Sequence, residues 1–193
     1  MLSPLPNATR AARPLLLDIA LVAALVGLNV AARLLPHAPD LTPVAASALF
    51  AASVLHVRAF SLVVPLVGMI IADAWLGFYD LRIMAAVYGT LALPAGAAWL
   101  SSRLRKPVMI VPVLLSSSLI FFAVTNFAVW AFSPMYPANA TGLLKCYIAA
   151  LPFLQNMLCG DLFWGIFLFG GYWLAQNARA AKRGDCRAVS VRA

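Results

Sequence analysis

Glutamate is absent from this chain, and its six acidic residues, Asp18, Asp40, Asp73, Asp80, Asp161 and Asp185, are all aspartate. Charge of either sign is scarce: 10% of residues are charged and 64% are apolar. Soluble domains carry roughly 25% charged residues, so a soluble globular core is excluded. Histidine is limited to His37 and His56, which the apolar pattern places at opposite faces, so no histidine–carboxylate metal set is expected. Ser116, Ser117 and Ser118 have no neighbouring histidine to activate them. A glycine-rich phosphate loop is missing as well, so the chain is not expected to hydrolyse ATP by itself. Cysteine is too rare for a disulfide framework, and Cys146, Cys159 and Cys186 are read as small apolar residues or tail thiols. The chain is therefore not read as an enzyme, and neither cofactor nor metal is expected.

What is present is a set of long apolar runs. Six of them, at 14–35, 42–57, 60–77, 83–100, 108–132 and 158–174, read as transmembrane helices. The second and third are short for a crossing of about 30 Å and are joined tightly around Arg58. A re-entrant second segment is the alternative on length. The first run exceeds the 7–15 residues of a signal-peptide core, so it is read as a span that is kept. Residues 141–156 carry Lys145, Pro152, Gln155 and Asn156, a polarity suited to an outer interfacial helix between the fifth and sixth spans. The expected architecture is an all-α polytopic membrane protein. It has a tail at 1–13, a six-helix domain at 14–177 and a basic tail at 178–193.

Orientation follows from the basic residues. With both ends in the cytoplasm, Arg10, Arg13, Arg58, Arg103, Arg105, Lys106 and the tail cluster from Arg179 to Arg192 all fall inside. Only Arg33, Arg82 and Lys145 fall outside, the asymmetry that short cytoplasmic loops show. The net charge of +8 is thus a topology signal and a lipid contact, not a nucleic-acid footprint.

The aspartates then mark places for chemistry. Asp73 and Asp161 fall inside spans about one turn below the outer surface, and Asp18 one turn above the inner one. Ionisable residues in spans usually face the bundle interior or a water-filled cavity. Asn29, Thr125 and Asn126 gather in the same outer third, with Trp75, Tyr79, Trp130 and Tyr136 nearby in sequence. Asp73, Asn126 and Asp161 are expected to be polar anchors of an outward-open pocket, with those four aromatics as its walls. The plainer reading pairs Asp73 with Arg82 or Lys145, makes Asp161 a helix cap, and turns the aromatics into an interfacial belt.

The stretches Leu-Thr-Pro-Val-Ala-Ala (41–46), Asp-Ala-Trp-Leu-Gly-Phe (73–78), Thr-Asn-Phe-Ala-Val-Trp (125–130) and Tyr-Ile-Ala-Ala-Leu-Pro-Phe (147–153), through Gly160–Asp161, carry a resemblance. They resemble a family of uncharacterised bacterial six-helix proteins grouped with transport proteins. That family is similar to the substrate-binding S components of energy-coupling-factor transporters. The resemblance covers 29–173 and implies an inner-membrane subunit that captures a small organic, vitamin-like solute from outside. It implies as partners a T component and ATPase subunits, docked through an Ala-x-x-x-Ala pattern that Ala20 and Ala24 match. No histidine-rich N-terminal ligand set is present, which disfavours metal as the solute. Two rivals stand beside this reading. One is a membrane scaffold of an envelope complex, which rests on the basic tail and the small-residue first helix and not on the outer polar residues. The other is an intramembrane enzyme with Asp73 and Asp161 as a carboxylate pair.

Overall fold

The computed structural model describes residues 8–36, 40–100, 107–178 and 181, and within them the protein is all-α. In chain order the helices are α1 (Ala8–Leu34), α2 (Val44–Val54), α3 (Phe60–Leu76), α4 (Leu81–Leu91), α5 (Leu93–Leu100), α6 (Pro107–Phe132) and α7 (Ala140–Gly165). α7 continues through one wide π-helical turn, Ile166–Gly170, and on to Ala178 as a single 39-residue apolar helix. The predicted tails, His37 and Cys186 lie largely or wholly outside the described residues.

α2 explains how the bundle is organised. Its sequence, VAASALFAASV, has no polar stripe, and eight of its eleven residues are buried. A helix that is apolar all round belongs in the interior. Its alanines let neighbouring helices approach closely. Ala46, Ala48, Leu49 and Ala52 pack with Ala95 and Ala98 of α5 and Val113 and Leu114 of α6. On the other side Phe50, Ala51 and Leu55 meet Leu25 of α1 and Val64 of α3. Phe50 also stands edge-on to Phe169 at 5.2 Å, bringing the far end of the last helix onto α2.

Polar contacts fix which helix ends meet. Asp18, low on α1 and 3% exposed, accepts from the Val57 backbone N–H at 2.9 Å and contacts His56 Nδ1 at 2.9 Å. This staples α1 to the turn between α2 and α3. At the opposite end Arg33 of α1 meets Asp73 of α3. Midway, Asn29 is fully buried, accepts from the Ser47 hydroxyl at 3.1 Å and faces Gly68, whose missing side chain makes the room. The Arg82 guanidinium lies 4.6 Å over the Phe132 ring, joining the start of α4 to the end of α6. The chain thus passes through the bundle six times, with α4 and α5 together making one pass.

Six passes are not six spans by length. Among the described residues three helices, Leu15–Leu34, Pro107–Phe132 and Ala140–Ala178, are long and apolar enough to cross a membrane. The α4–α5 pair is a fourth if counted as one span bent by 41°. α2 and α3, at 11 and 17 residues, fall short. α2 is enclosed by protein, so its ends need not reach the lipid surface and its length is not set by bilayer thickness. The separate interfacial helix expected at 141–156 does not exist; those residues are the first half of α7. Pro152 sits inside that helix without ending it. Lys145 is tolerated because a helix about 58 Å long by its 1.5 Å rise extends well beyond the hydrocarbon.

Two glycines are fixed by geometry. Gly77 ends α3 with φ of 106°, a left-handed conformation that a side chain would strain. Gly142, in the first turn of α7 and bonded to the Asn139 cap, has the Pro137 carbonyl oxygen where a Cβ would be. Gly142→Ala is expected to lower stability by about 2 kcal/mol through overpacking. Gly96→Ala, with nothing within 4 Å of the added Cβ, should be neutral or gain up to about 1 kcal/mol of helix propensity. Thermal unfolding of the two variants in the same detergent checks the contrast.

Candidate functional site

Asp73 is 1% exposed near the end of α3 and both its oxygens are used. Oδ1 accepts from Arg33 Nη2 at 2.9 Å, and Oδ2 accepts from the Tyr88 hydroxyl of α4 at 2.7 Å. Three helix passes meet on one carboxylate. Neither expected partner is the real one. Arg82 bonds instead to Asp80, two residues away, through Nη2 at 3.0 Å and Nε at 3.2 Å. A pairing that close in sequence costs little chain entropy, and Asp80 also caps α4 by accepting from the Arg82 backbone N–H. The Arg82 guanidinium holds the Asp80 carboxyl below the usual range. Burial, and then the negative charge of Asp73, raises the nearby Tyr79 phenol above its ordinary value.

Asp161 is 3% exposed and lies in the middle of the long last helix, so it does not cap a helix start. Its Oδ2 accepts from the Ser118 hydroxyl at 2.5 Å. Ser118 is close to the midpoint of the 26-residue α6, so the carboxylate sits deeper than the sequence indicated, about halfway along the bundle. Flanking glycines allow this approach. A Cβ on Gly165 would come within 2.8 Å of the Leu114 side chain, and one on Gly160 within 3.0 Å of the Leu41 backbone. Among the described residues Asp161 is in no ion pair, and only its Oδ2 has a hydrogen-bond partner.

A narrow cleft connects these levels. Arg33 and Asp40 lie at its outer end, Thr42 and Thr90 along its sides, and Ser117, Ser118 and Asp161 at its deep end. It leaves about 50 Å³ for the centres of water molecules. Thr90 and Ser117 turn their hydroxyls back to carbonyls of their own helices, at 2.7 Å and 2.8 Å. The Nε of Arg33 is buried and has no hydrogen-bond partner among the described residues. A second cavity of about 120 Å³ adjoins, containing Thr125 and Asn126 and sharing Asp40, Phe121 and Met157 with the first. Phe121 and Met157 therefore stand between the two spaces.

The expected residues separate accordingly. Asp161 lines the cleft, Asp73 holds the Arg33 that lines it, and Asn126 lines the adjoining cavity while donating to the Phe122 carbonyl at 2.8 Å. Tyr79 lies near Asp73 but is partly exposed. Trp75 is 81% exposed and lines neither space. Trp130, in the last turn of α6, donates to the Pro137 carbonyl at 3.0 Å, and Tyr136 lies in the α6–α7 connection; both are outside the two cavities. Ala20 and Ala24 are exposed on α1. Arg33, Tyr88 and Ser118 were not singled out as site residues, although Arg33 at a span end and the serine run were visible in the sequence.

Among the described residues no three His, Cys, Asp or Glu side chains gather as metal ligands. No hydrogen bond links Asp73 to Asp161, and each has partners of its own. Cys146 is buried and Cys159 exposed, and both are free; thirteen residues apart on α7, they are separated by about 20 Å.

These features define an all-α protein with several helices fit to cross a membrane and a polar cleft inside the bundle. The chain belongs to a family of unknown function (DUF6580), whose family model matches residues 14–183. No curated protein and no solved structure matches it.

The Arg33–Asp73 pair generates a stability prediction. Arg33→Leu leaves Asp73 buried without its cation and is expected to cost about 3 kcal/mol. Combining Arg33→Leu with Asp73→Leu removes both charges and should recover most of that loss. A double-mutant cycle by thermal unfolding in detergent measures the coupling, and a near-zero coupling would count against the pair as a structural tie.

Proposed function

We propose that this protein is an integral membrane solute-binding subunit of a transport system, which takes a small organic solute into the cleft between Arg33 and Asp161. The observation that carries the reading is Asp161, a carboxylate buried halfway along an apolar bundle, in no ion pair among the described residues, and lining an internal cleft. Charged groups inside membrane bundles are expensive and mark solute or ion pathways. Binding near the bilayer midplane is common where helices carry a solute across.

The proposed topology has six crossings of a bacterial inner membrane with both termini in the cytoplasm. Its support is the basic-residue asymmetry, with eleven of fourteen Lys and Arg on one side. Arg33, Asp73 and Asp40, at the mouth of the cleft, then face outside. A T component and ATPase subunits are the proposed partners, and the exposed Ala20 and Ala24 offer a close-packing face for one of them.

Two measurements test this. Protein purified in mild detergent should retain a small metabolite, identified by mass spectrometry, that is lost from Asp161→Asn and weakened in Asp73→Ala. Equal retention by folded Asp161→Asn would overturn the site. Reporter fusions at the two termini should both report cytoplasm, and a periplasmic C-terminus would reverse the assigned outer mouth.

A further inference from the structure

We infer that the solute is a small organic cation whose ammonium group is held by Asp161 and Ser118; this rests on the solute-binding reading and narrows it. Among the described residues three carboxylates are buried, and two of them have partners on both oxygens. Asp18 has His56 and the Val57 N–H, and Asp73 has Arg33 and the Tyr88 hydroxyl. Asp161 alone has one hydrogen bond, from Ser118, and one oxygen without a partner among the described residues. The residue is 3% exposed, and the space beside it is the cleft. A deeply buried carboxylate with an open acceptor position is complementary to a cationic donor.

The electrostatics of the cleft favour the same sign. Arg33 is its cation, but that charge is already matched by Asp73 at 2.9 Å. An anionic solute would therefore meet the acceptor oxygens of Asp161 with no unmatched cation among the described cleft residues to compensate it. Size sets a second limit. Space of about 50 Å³ for water centres holds only a few waters, so what reaches Asp161 is a compact group such as a primary ammonium. The buried Nε of Arg33, a donor lacking a partner, suits a hydroxyl or carbonyl oxygen of the same solute nearer the mouth.

The test uses the full chain in lipid nanodiscs, with binding read by thermal shift and isothermal titration. The probes are methylammonium, ethylammonium and ethanolammonium chlorides, against acetamide, ethanol and sodium acetate, with sodium and potassium chloride as separate arms. The ammonium ions are expected to stabilise the protein saturably, and the neutral and anionic probes are not. Asp161→Asn should weaken ammonium binding at least ten-fold, and Ser118→Ala several-fold; the serine variant keeps the test decisive if the first fails to fold. Saturable binding of acetamide or acetate in place of ammonium overturns the cation inference while leaving solute binding intact. An Asp161-dependent response to sodium or potassium alone assigns the site to an inorganic ion and also overturns it. Ammonium binding that survives both variants removes Asp161 from the site. No saturable response to any probe, together with no retained metabolite, sinks the solute-binding reading as well.

Discussion

A carboxylate placed inside an apolar bundle must find donors there, because neither lipid nor packed side chains replace the water it has lost. Asp18, Asp73 and Asp161 meet that demand at three levels. The first ties α1 to the α2–α3 turn, and the second ties α1, α3 and α4 at the opposite end. Each has two partners outside its own helix, so each works as a fastening. The third joins α6 to α7 at mid-depth through a single hydroxyl. Chemically identical groups thus play different parts, separated by how completely each is satisfied. With both ends fastened, Asp161 at mid-depth is the buried carboxylate that keeps an open oxygen among the described residues.

The buried α2 makes this arrangement feasible. An alanine-rich helix admits close neighbours on every side, and those neighbours bring Thr90, Ser117, Ser118 and Asp161 around one cleft. The same packing closes the bundle beyond the cleft with Ala46, Leu49, Ala95 and Leu114. Where α4 gives way to α5, the break at Ala92 lets Pro94 enter the cleft wall.

Much of the architecture was legible because it depends on composition and local pattern. The apolar runs gave the helices, and the scarcity of acidic residues made Asp73 and Asp161 stand out. The partners of those residues were not legible. Arg33 and Asp73 are 40 positions apart, and Ser118 and Asp161 are 43 apart. Nothing in local periodicity selects such pairs over the closer alternative of Arg82. The aromatics misled for a related reason: Trp75 and Trp130 are near Asp73 and Asn126 in sequence, but helix geometry turns Trp75 outward and binds Trp130 to Pro137. The expected interfacial helix failed because polarity was read as a boundary, whereas a helix longer than the bilayer can carry polar residues without a break.

On the proposed reading the cleft, fastened at both ends and bordered by packed alanines, is where a solute is captured. Moving a solute past the apolar cluster requires α2, α5 and α6 to part, and that cluster holds the core together. Regular backbone bonding is interrupted at two places along the passes that line the cleft: the 41° bend between α4 and α5, and the wide turn Ile166–Gly170, just after Gly165. Such irregularities often mark functional sites, because they loosen a helix without unfolding it. If the cleft takes a solute as proposed, release on the other side requires movement at those two points or displacement of the whole bundle by a partner.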